Sequence, residues 1–244
     1  MASPLVEEVV ARTQRDLAII REERPRVHVL TNFVAMNVSA NVMLAVGAVP
    51  SMTIDDTVIE DFGGSTRALV VNLGQLDPWR KISVPIAIAA ARKLQRPWIL
   101  DPVKVDRSGR RLAFAHMLID AGPSVIRCNR DEVGMLEGES DTVLAVTGEI
   151  DHVTDGERRV DIANGSPLMD RVTAMGCAAS ALIGVFLAID EDPFMATAAA
   201  LLAFGIAGDV AAEKAQGPGT FQPLLIDALH ALDDASIAER ARVS

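Results

Sequence analysis

Apolar and polar positions along this chain follow two alternating rhythms. Short apolar runs that stop at a polar residue are separated by longer stretches with apolar positions three to four apart, the pattern of strands alternating with helices. VHVL from Val27, VPSM from Val49, ALVVNLG from Ala68, PWILDPV from Pro97, SVIRCN from Ser124 and TVLAVTGE from Thr142 read as strands. Between them the periodicity predicts helices from about Phe33 to Val46, Pro78 to Leu94 and Ser108 to Asp120, with a short one near Asp131 to Leu136. Pro78 stands where a first helical turn tolerates proline. Strand–helix alternation implies an α/β chain with a mostly parallel central sheet covered by helices on both faces. The rhythm then changes. HVTDGERRVDI carries Asp155-Gly156 between two extended runs, which predicts a β-hairpin. The last third is helical, from about Gly176 to Ile189, Pro193 to Ala215 and Phe221 to Leu232, with Gly217-Pro218-Gly219 as a breaker. No linker, repeat or low-complexity segment divides the chain, which reads as one domain over residues 1–244.

Open parallel sheets bind ligands at the carboxyl ends of their strands. The polar residues there are Asn32, Asn72, Asp101, Asn129, Glu132 and Thr147, with Met52 beside them. Composition narrows the ligand. The 244 residues carry a formal net charge of −10 and no Tyr, which argues against nucleic acid as a partner. A bound nucleotide's charge must then be met locally, by Mg²⁺, a few basic side chains and backbone N–H groups. Two cysteines, Cys128 and Cys177, are too few for a disulfide scaffold and fit a reducing cytoplasm. The start, MASPLVEEVVARTQRDLAII, lacks a basic region before an apolar core and reads as an amphipathic helix. Two long stretches, Val29 to Ile54 and Val172 to Ile189, carry no formal charge. The first holds three asparagines and the second is rich in Ala and Gly, so both read as packed segments and not as membrane spans.

Three constellations bear chemistry. VTAMGCAASALIG, from Val172, runs a polar turn into an Ala-rich helix. Ala174, Met175, Gly176 and Cys177 would present backbone N–H groups at a helix start, a site for phosphate or a transferring phosphoryl group. The helix dipole favours a thiolate at Cys177, which would let it take a proton from an alcohol; the other reading is a small apolar core residue. Asp101 and Glu132 follow separate strands and can face one crevice, as hard ligands for Mg²⁺, or else as a helix cap and a surface acid. Arg127 and Thr147 lie near the ends of their strands, where Arg suits bidentate phosphate contact or a structural ion pair.

In chain order, these segments resemble the hydroxyethylthiazole kinase family over nearly the full length. HVLTNFVAMNVSANVMLAVGAVPSM, WILDPV, VIRCNRDEV, LAVTGEIDHVTDGERRVDIANGSPLM and RVTAMGCAASALIGVFLAIDEDP carry the resemblance. It implies a ribokinase-like fold, a homotrimer with sites at subunit boundaries, and ATP, Mg²⁺ and a thiazole alcohol as ligands. It implies Cys177 as catalytic base, Asp101 and Glu132 at the metal, Arg127 and Thr147 at ATP, and Met52 and Ala174 at the substrate. The chain departs from the family in three places. KVDRSG follows the Asp-Pro-Val strand where a Gly-rich stretch is common. Ala174 and Met175 stand where Gly and Thr are common. Only MLEGESD separates the Glu132 turn from the next strand, through abridgement or through residues missing from the sequence. Two other functions compete: a kinase of the same fold acting on another small alcohol, and a non-catalytic binding descendant.

Overall fold

A computed structural model describes residues 3–136 and 142–244. The described residues form one sheet of eight strands: β1 (Arg26–Leu30), β2 (Val49–Ser51), β3 (Ala68–Asn72), β4 (Trp98–Asp101), β5 (Val125–Asn129), β6 (Val143–Thr147), β7 (Asp151–Thr154) and β8 (Arg159–Ile162). Their order is β2-β1-β3-β4-β5-β6-β7-β8, parallel through β6 and antiparallel for the last two. β3 is buried on both faces, as parallel strands between helical layers must be. Its Ala68 and Val70 pack into one core and its Leu69 and Val71 into the other.

The first face carries α1 (Pro4–Glu23), α2 (Met36–Ala45), α6 (Met175–Leu187), α7 (Pro193–Lys214), α8 (Pro218–Ala231) and α9 (Asp234–Arg240); the second carries α3 (Ile59–Gly64), α4 (Pro78–Lys93) and α5 (Gly109–Ile119). α6 lies across the middle of the sheet, against β1, β3 and β4. A Cβ at Gly184 would come 2.3 Å from Val70 Cγ2, so only glycine lets this helix settle so close to β3. α7 is long and apolar enough to cross a membrane, but 89% of its apolar window is buried, which makes it the central helix of the first layer.

All the expected strands and long helices are present, with shifted ends. The helix expected from Phe33 starts at Met36, because Asn32 Oδ1 accepts the Ala35 N–H at 3.1 Å and holds a turn ahead of it. The short helix near Asp131 is a single 3-10 turn, Val133–Met135. Pro218 and Gly219 open α8 instead of separating two helices, since proline suits the first turn. The hairpin turns through Asp155–Arg158, with Gly156 at φ +92°.

One buried acid in this fold gives a stability test. Asp16 of α1 is fully buried against Asp190; Arg15 donates to its Oδ1 at 2.8 Å, and its Oδ2 has no partner among the described residues. Arg12 and Arg15 both bridge to Asp190. Burial, with the charge of Asp190 adding to it, pushes the Asp16 carboxyl up to about 6. The folded state therefore keeps a proton that the unfolded chain loses from its ordinary 3.8 upward, and stability falls as pH rises from there to about 6. Asp16→Asn should raise the melting temperature at pH 8 by roughly 3–6 °C, for about 1–2 kcal/mol, and by almost nothing near pH 4. Melting curves showing the same change at both pH values would contradict this.

Candidate active site

The ends of β1, β3, β4, β5 and β6 and the start of α6 meet in one place. Ala174 is the residue before α6, with φ +65°, and Met175, Gly176 and Cys177 are its first turn. Their N–H groups have no partner within the helix, which makes the turn an anion-binding end. Arg127, from β5, lies directly against it. A Cβ at Gly176 would fall 2.4 Å from Arg127 Nη1, so this glycine makes room for the guanidinium. Arg127 donates to Thr147 Oγ1, and Thr147 Oγ1 donates to the Cys128 carbonyl at 3.3 Å. A cation and a helix N-terminus repel each other, and an anion held between them relieves both.

Cys177 Sγ receives two amide N–H groups, from Asn72 Nδ2 at 3.2 Å and from Asn32 Nδ2 at 3.6 Å. The sequence leaves the resting protonation of Cys177 open, with the helix start favouring the thiolate. Burial, followed by the charge of Asp101, pushes the thiol up to about 11, and the two amides and Arg127 offset this only in part. The helix dipole does not outweigh desolvation here. Cys128 is a different case: it is fully buried on β5, and burial pushes it up to about 12, the state of an inert core thiol.

Asp101 ends β4 with no solvent exposure. Its Oδ2 accepts from Asn72 Nδ2 at 2.7 Å and from Ser180 Oγ at 2.8 Å, and lies 3.9 Å from Arg127 Nη1. Its Oδ1 is buried without a partner among the described residues. Glu132 is buried as well, and both its oxygens are in use: Oε2 accepts from Asn129 N at 3.1 Å and Oε1 from Lys104 N. Glu132 thereby holds the loop after β4, in which Val103 and Lys104 have φ +38° and +57°. Arg111 secures the same loop by donating to the Val103 carbonyl at 3.1 Å. Left-handed φ at a β-branched residue stores strain, and such strain gathers at functional sites. Lys104 opens the stretch where the sequence departs from the family's glycines, and Val103 stands directly before it.

Met52 lies apart from this network. It follows β2, at one end of the parallel strands, while Thr147 ends β6 at the other, five strand spacings or roughly 24 Å away. His28 of β1 fixes Met52 from both sides: Nδ1 meets Ser51 Oγ at 3.0 Å and Nε2 meets the Thr53 carbonyl at 3.0 Å. Burial pushes this imidazole down to about 4, so it is neutral at ordinary pH. The sequence reading passed over His28, Ser180 and Arg111, for which residue type alone gave no signal. The expected site residues thus fall along one edge of the sheet, with Met52 and Asn32 at one side, Cys177 and Asp101 in the middle, and Arg127, Glu132 and Thr147 at the other.

Comparison with known proteins agrees. The description of the Hydroxyethylthiazole kinase family matches residues 17–143 and 137–235. A probable hydroxyethylthiazole kinase from Agrobacterium fabrum is 41% identical over 233 residues, covering 96% of this chain and 95% of that one. The hydroxyethylthiazole kinase of Granulibacter bethesdensis is 40% identical over 257 residues, covering 95% and 94%. Among solved structures, that of a hydroxyethylthiazole kinase protein from Pyrococcus horikoshii OT3 has a TM-score of 0.92 at 36% identity, covering 95% of this chain and 98% of that one. A ribokinase-like superfamily protein from Enterococcus faecalis V583, at 13% identity and a TM-score of 0.64 over 86% of this chain and 88% of that one, shares the fold. The family match comes in two segments that overlap at 137–143, where the sequence is short. The Granulibacter alignment is longer than this whole chain, whereas the Agrobacterium one is no longer than the residues it covers. Abridgement is the reading these lengths favour, although residues 137–141 of that segment lie outside the described residues. With a matching family description over most of its length and relatives at 40% and 41% identity across more than nine-tenths of it, this chain belongs to the hydroxyethylthiazole kinase family.

Proposed function

We propose that this protein transfers the γ-phosphoryl group of ATP to the hydroxyl of 5-(2-hydroxyethyl)-4-methylthiazole, in cytoplasmic thiamine salvage. The observation that carries the proposal is the meeting of a half-buried cysteine, a buried aspartate and an arginine at the first turn of α6. Phosphoryl transfer needs alignment and charge stabilisation more than covalent chemistry from the protein. The first-turn N–H groups of Met175, Gly176 and Cys177, with Arg127, hold the oxygens of the transferring group. Arg127 and Thr147 place the nucleotide. Met52 and Ala174 place the thiazole so that its hydroxyl lies beside Cys177, whose thiolate form accepts the proton as the new P–O bond forms and ADP leaves.

The donor set suits Mg²⁺. Two buried carboxylates supply hard oxygens, and one oxygen of Asp101 is unpartnered among the described residues. Glu132 has lone pairs left beyond its two backbone donors. Mg²⁺ usually keeps several waters in its shell and binds through one or two carboxylates plus phosphate oxygens. When bound, Mg²⁺ supplies charge neutralisation at the β- and γ-phosphates. Incubation with ATP, Mg²⁺ and a panel of small alcohols tests the proposal. The thiazole phosphate ester should appear by mass and should dominate over sugar and pyridoxal products.

The same proposal includes a homotrimer. A closed ring of three needs two different, complementary patches on each copy. The uncharged stretch around α2 exposes Phe33, at 68%, with Val34 and Leu44, while α3 and α4 expose Trp79, at 66%, with Phe62 and Ile82. Apolar side chains grouped in this way mark contact surfaces. Light scattering at micromolar concentration should give three times the mass of one chain, and Leu44→Arg should give the monomer with most activity lost. A monomeric wild-type protein would rule out the trimer.

A further inference from the structure

Asn72 is buried at the end of β3, and its side-chain amide has every hydrogen-bonding position filled. Oδ1 accepts from Asn32 Nδ2 at 3.1 Å and from Gly74 N at 3.0 Å. Nδ2 donates to Asp101 Oδ2 at 2.7 Å and to Cys177 Sγ at 3.2 Å. An amide offers two N–H donors and an oxygen with two lone pairs, so nothing is left over. Its orientation is fixed by chemistry as well. Turned over, it would set its oxygen against the Asp101 carboxylate and its NH₂ against the Gly74 N–H. The turn below is built for it: a Cβ at Gly74 would fall 2.6 Å from Asn32 Nδ2 and 3.0 Å from Asn72 Oδ1, so a side chain there would force the two amides apart.

Taking Cys177 as the base in phosphoryl transfer, as proposed above, we infer that Asn72 is the positioning residue for that base. Asp101, Asn32 and Gly74 clamp its amide, and its one remaining N–H fixes the sulfur. With Asn32 donating at 3.6 Å from a second direction, the thiol's own hydrogen is directed away from both amides. The sulfur is thus held where its proton traffic does not compete with the protein's hydrogen bonds. The same N–H favours the thiolate over the thiol when a proton leaves. Asp101 does not depend on Asn72 for its own placement, because Ser180 Oγ holds the same oxygen at 2.8 Å. The role assigned to Asn72 is therefore on the sulfur.

The test is a kinetic cycle. Asn72→Ala should lower kcat about 10²-fold, the scale of losing alignment at a reacting group, with KM for ATP and for the thiazole alcohol changed less than about threefold. In the Cys177→Ala background the same substitution should cost less than about threefold, because the group it positions is gone. Asn72→Asp keeps the acceptor but sets a carboxylate against Asp101 and the sulfur, and should be worse than alanine. If the alanine variant fails to fold, Asn72→Ser, which can still satisfy the Gly74 N–H, takes its place in the cycle with the same expectations. An unchanged kcat in the folded variant, or an equal loss in both backgrounds, overturns the inference. A Cys177→Ala enzyme with full kcat would instead overturn the function assigned to Cys177.

Discussion

Cys177→Ala should lower kcat by about 10²–10⁴-fold, the range for a positioned proton acceptor, and leave KM for ATP nearly unchanged. The backbone N–H groups proposed to hold the phosphates survive the substitution. Cys177→Asp should retain substantial activity, since a carboxylate at a helix start accepts a proton and has its charge favoured there. Cys177→Ser should be poor, because a neutral hydroxyl is a weak base. An inert core cysteine predicts the reverse order, with Ala and Ser mild and Asp unfolding the protein through a buried charge. pH gives a second axis. With the thiol pushed up to about 11, the thiolate fraction grows with pH throughout the neutral and mildly alkaline range. Wild-type kcat/KM should therefore climb from pH 7 to pH 9, while the Asp variant, already ionised, runs flat. The folded protein binds the thiol proton more tightly than the unfolded chain, whose ordinary value is near 9. This contribution to stability is complete below that pH and fades as pH rises toward 11. Rates at alkaline pH should be corrected for unfolding before the comparison is made.

Asp101→Asn is the second large effect, and the structure makes it a clean one. Both hydrogen bonds to Asp101, from Asn72 and Ser180, land on Oδ2. An asparagine can keep its oxygen there and put its NH₂ where the unpartnered Oδ1 was. Shape and partners survive and only the charge is lost. We expect kcat to fall by about 10²–10³-fold, the usual cost of removing one well-placed electrostatic contributor, with a higher Mg²⁺ concentration needed for half-maximal rate and thiazole binding largely intact. Wild-type turnover across a Mg²⁺ titration would remove Asp101 from the metal assignment. Glu132→Gln should share the Mg²⁺ phenotype but also loosen the Val103–Lys104 turn, because the Lys104 N–H ends on its carboxylate.

The sheet was legible because buried parallel strands are apolar runs cut off by one polar residue, and β1, β3, β4 and β5 all end that way. α3 and α9 were not. The first is six residues ending in two glycines and the second seven residues with three charges, so neither shows a helical apolar stripe. Within the site, residue types and strand ends brought out Asp101, Glu132, Arg127 and Cys177. The protonation of Cys177 stayed open because a dipole at a helix start can be read from sequence, whereas the burial that opposes it depends on what packs above. Asn72 appeared only as one polar strand end among several. Its importance comes from β4 lying beside β3 in register, Asn72 opposite Asp101, and from α6 crossing both. No spacing along the chain contains that.

The loop after β4 has a consequence for how ligands are met. Glycines there would leave the unliganded loop free to wander, and each binding event would have to gather it in, at a cost of about 0.5–1 kcal/mol for each such residue. Lys104, the first residue of that stretch, and Val103 before it hold left-handed backbone under the grip of Glu132 and Arg111. The conformational entropy is lost once, when the chain folds, and not again at every turnover. A loop arranged this way exchanges some intrinsic stability for a shape that is set before any ligand arrives.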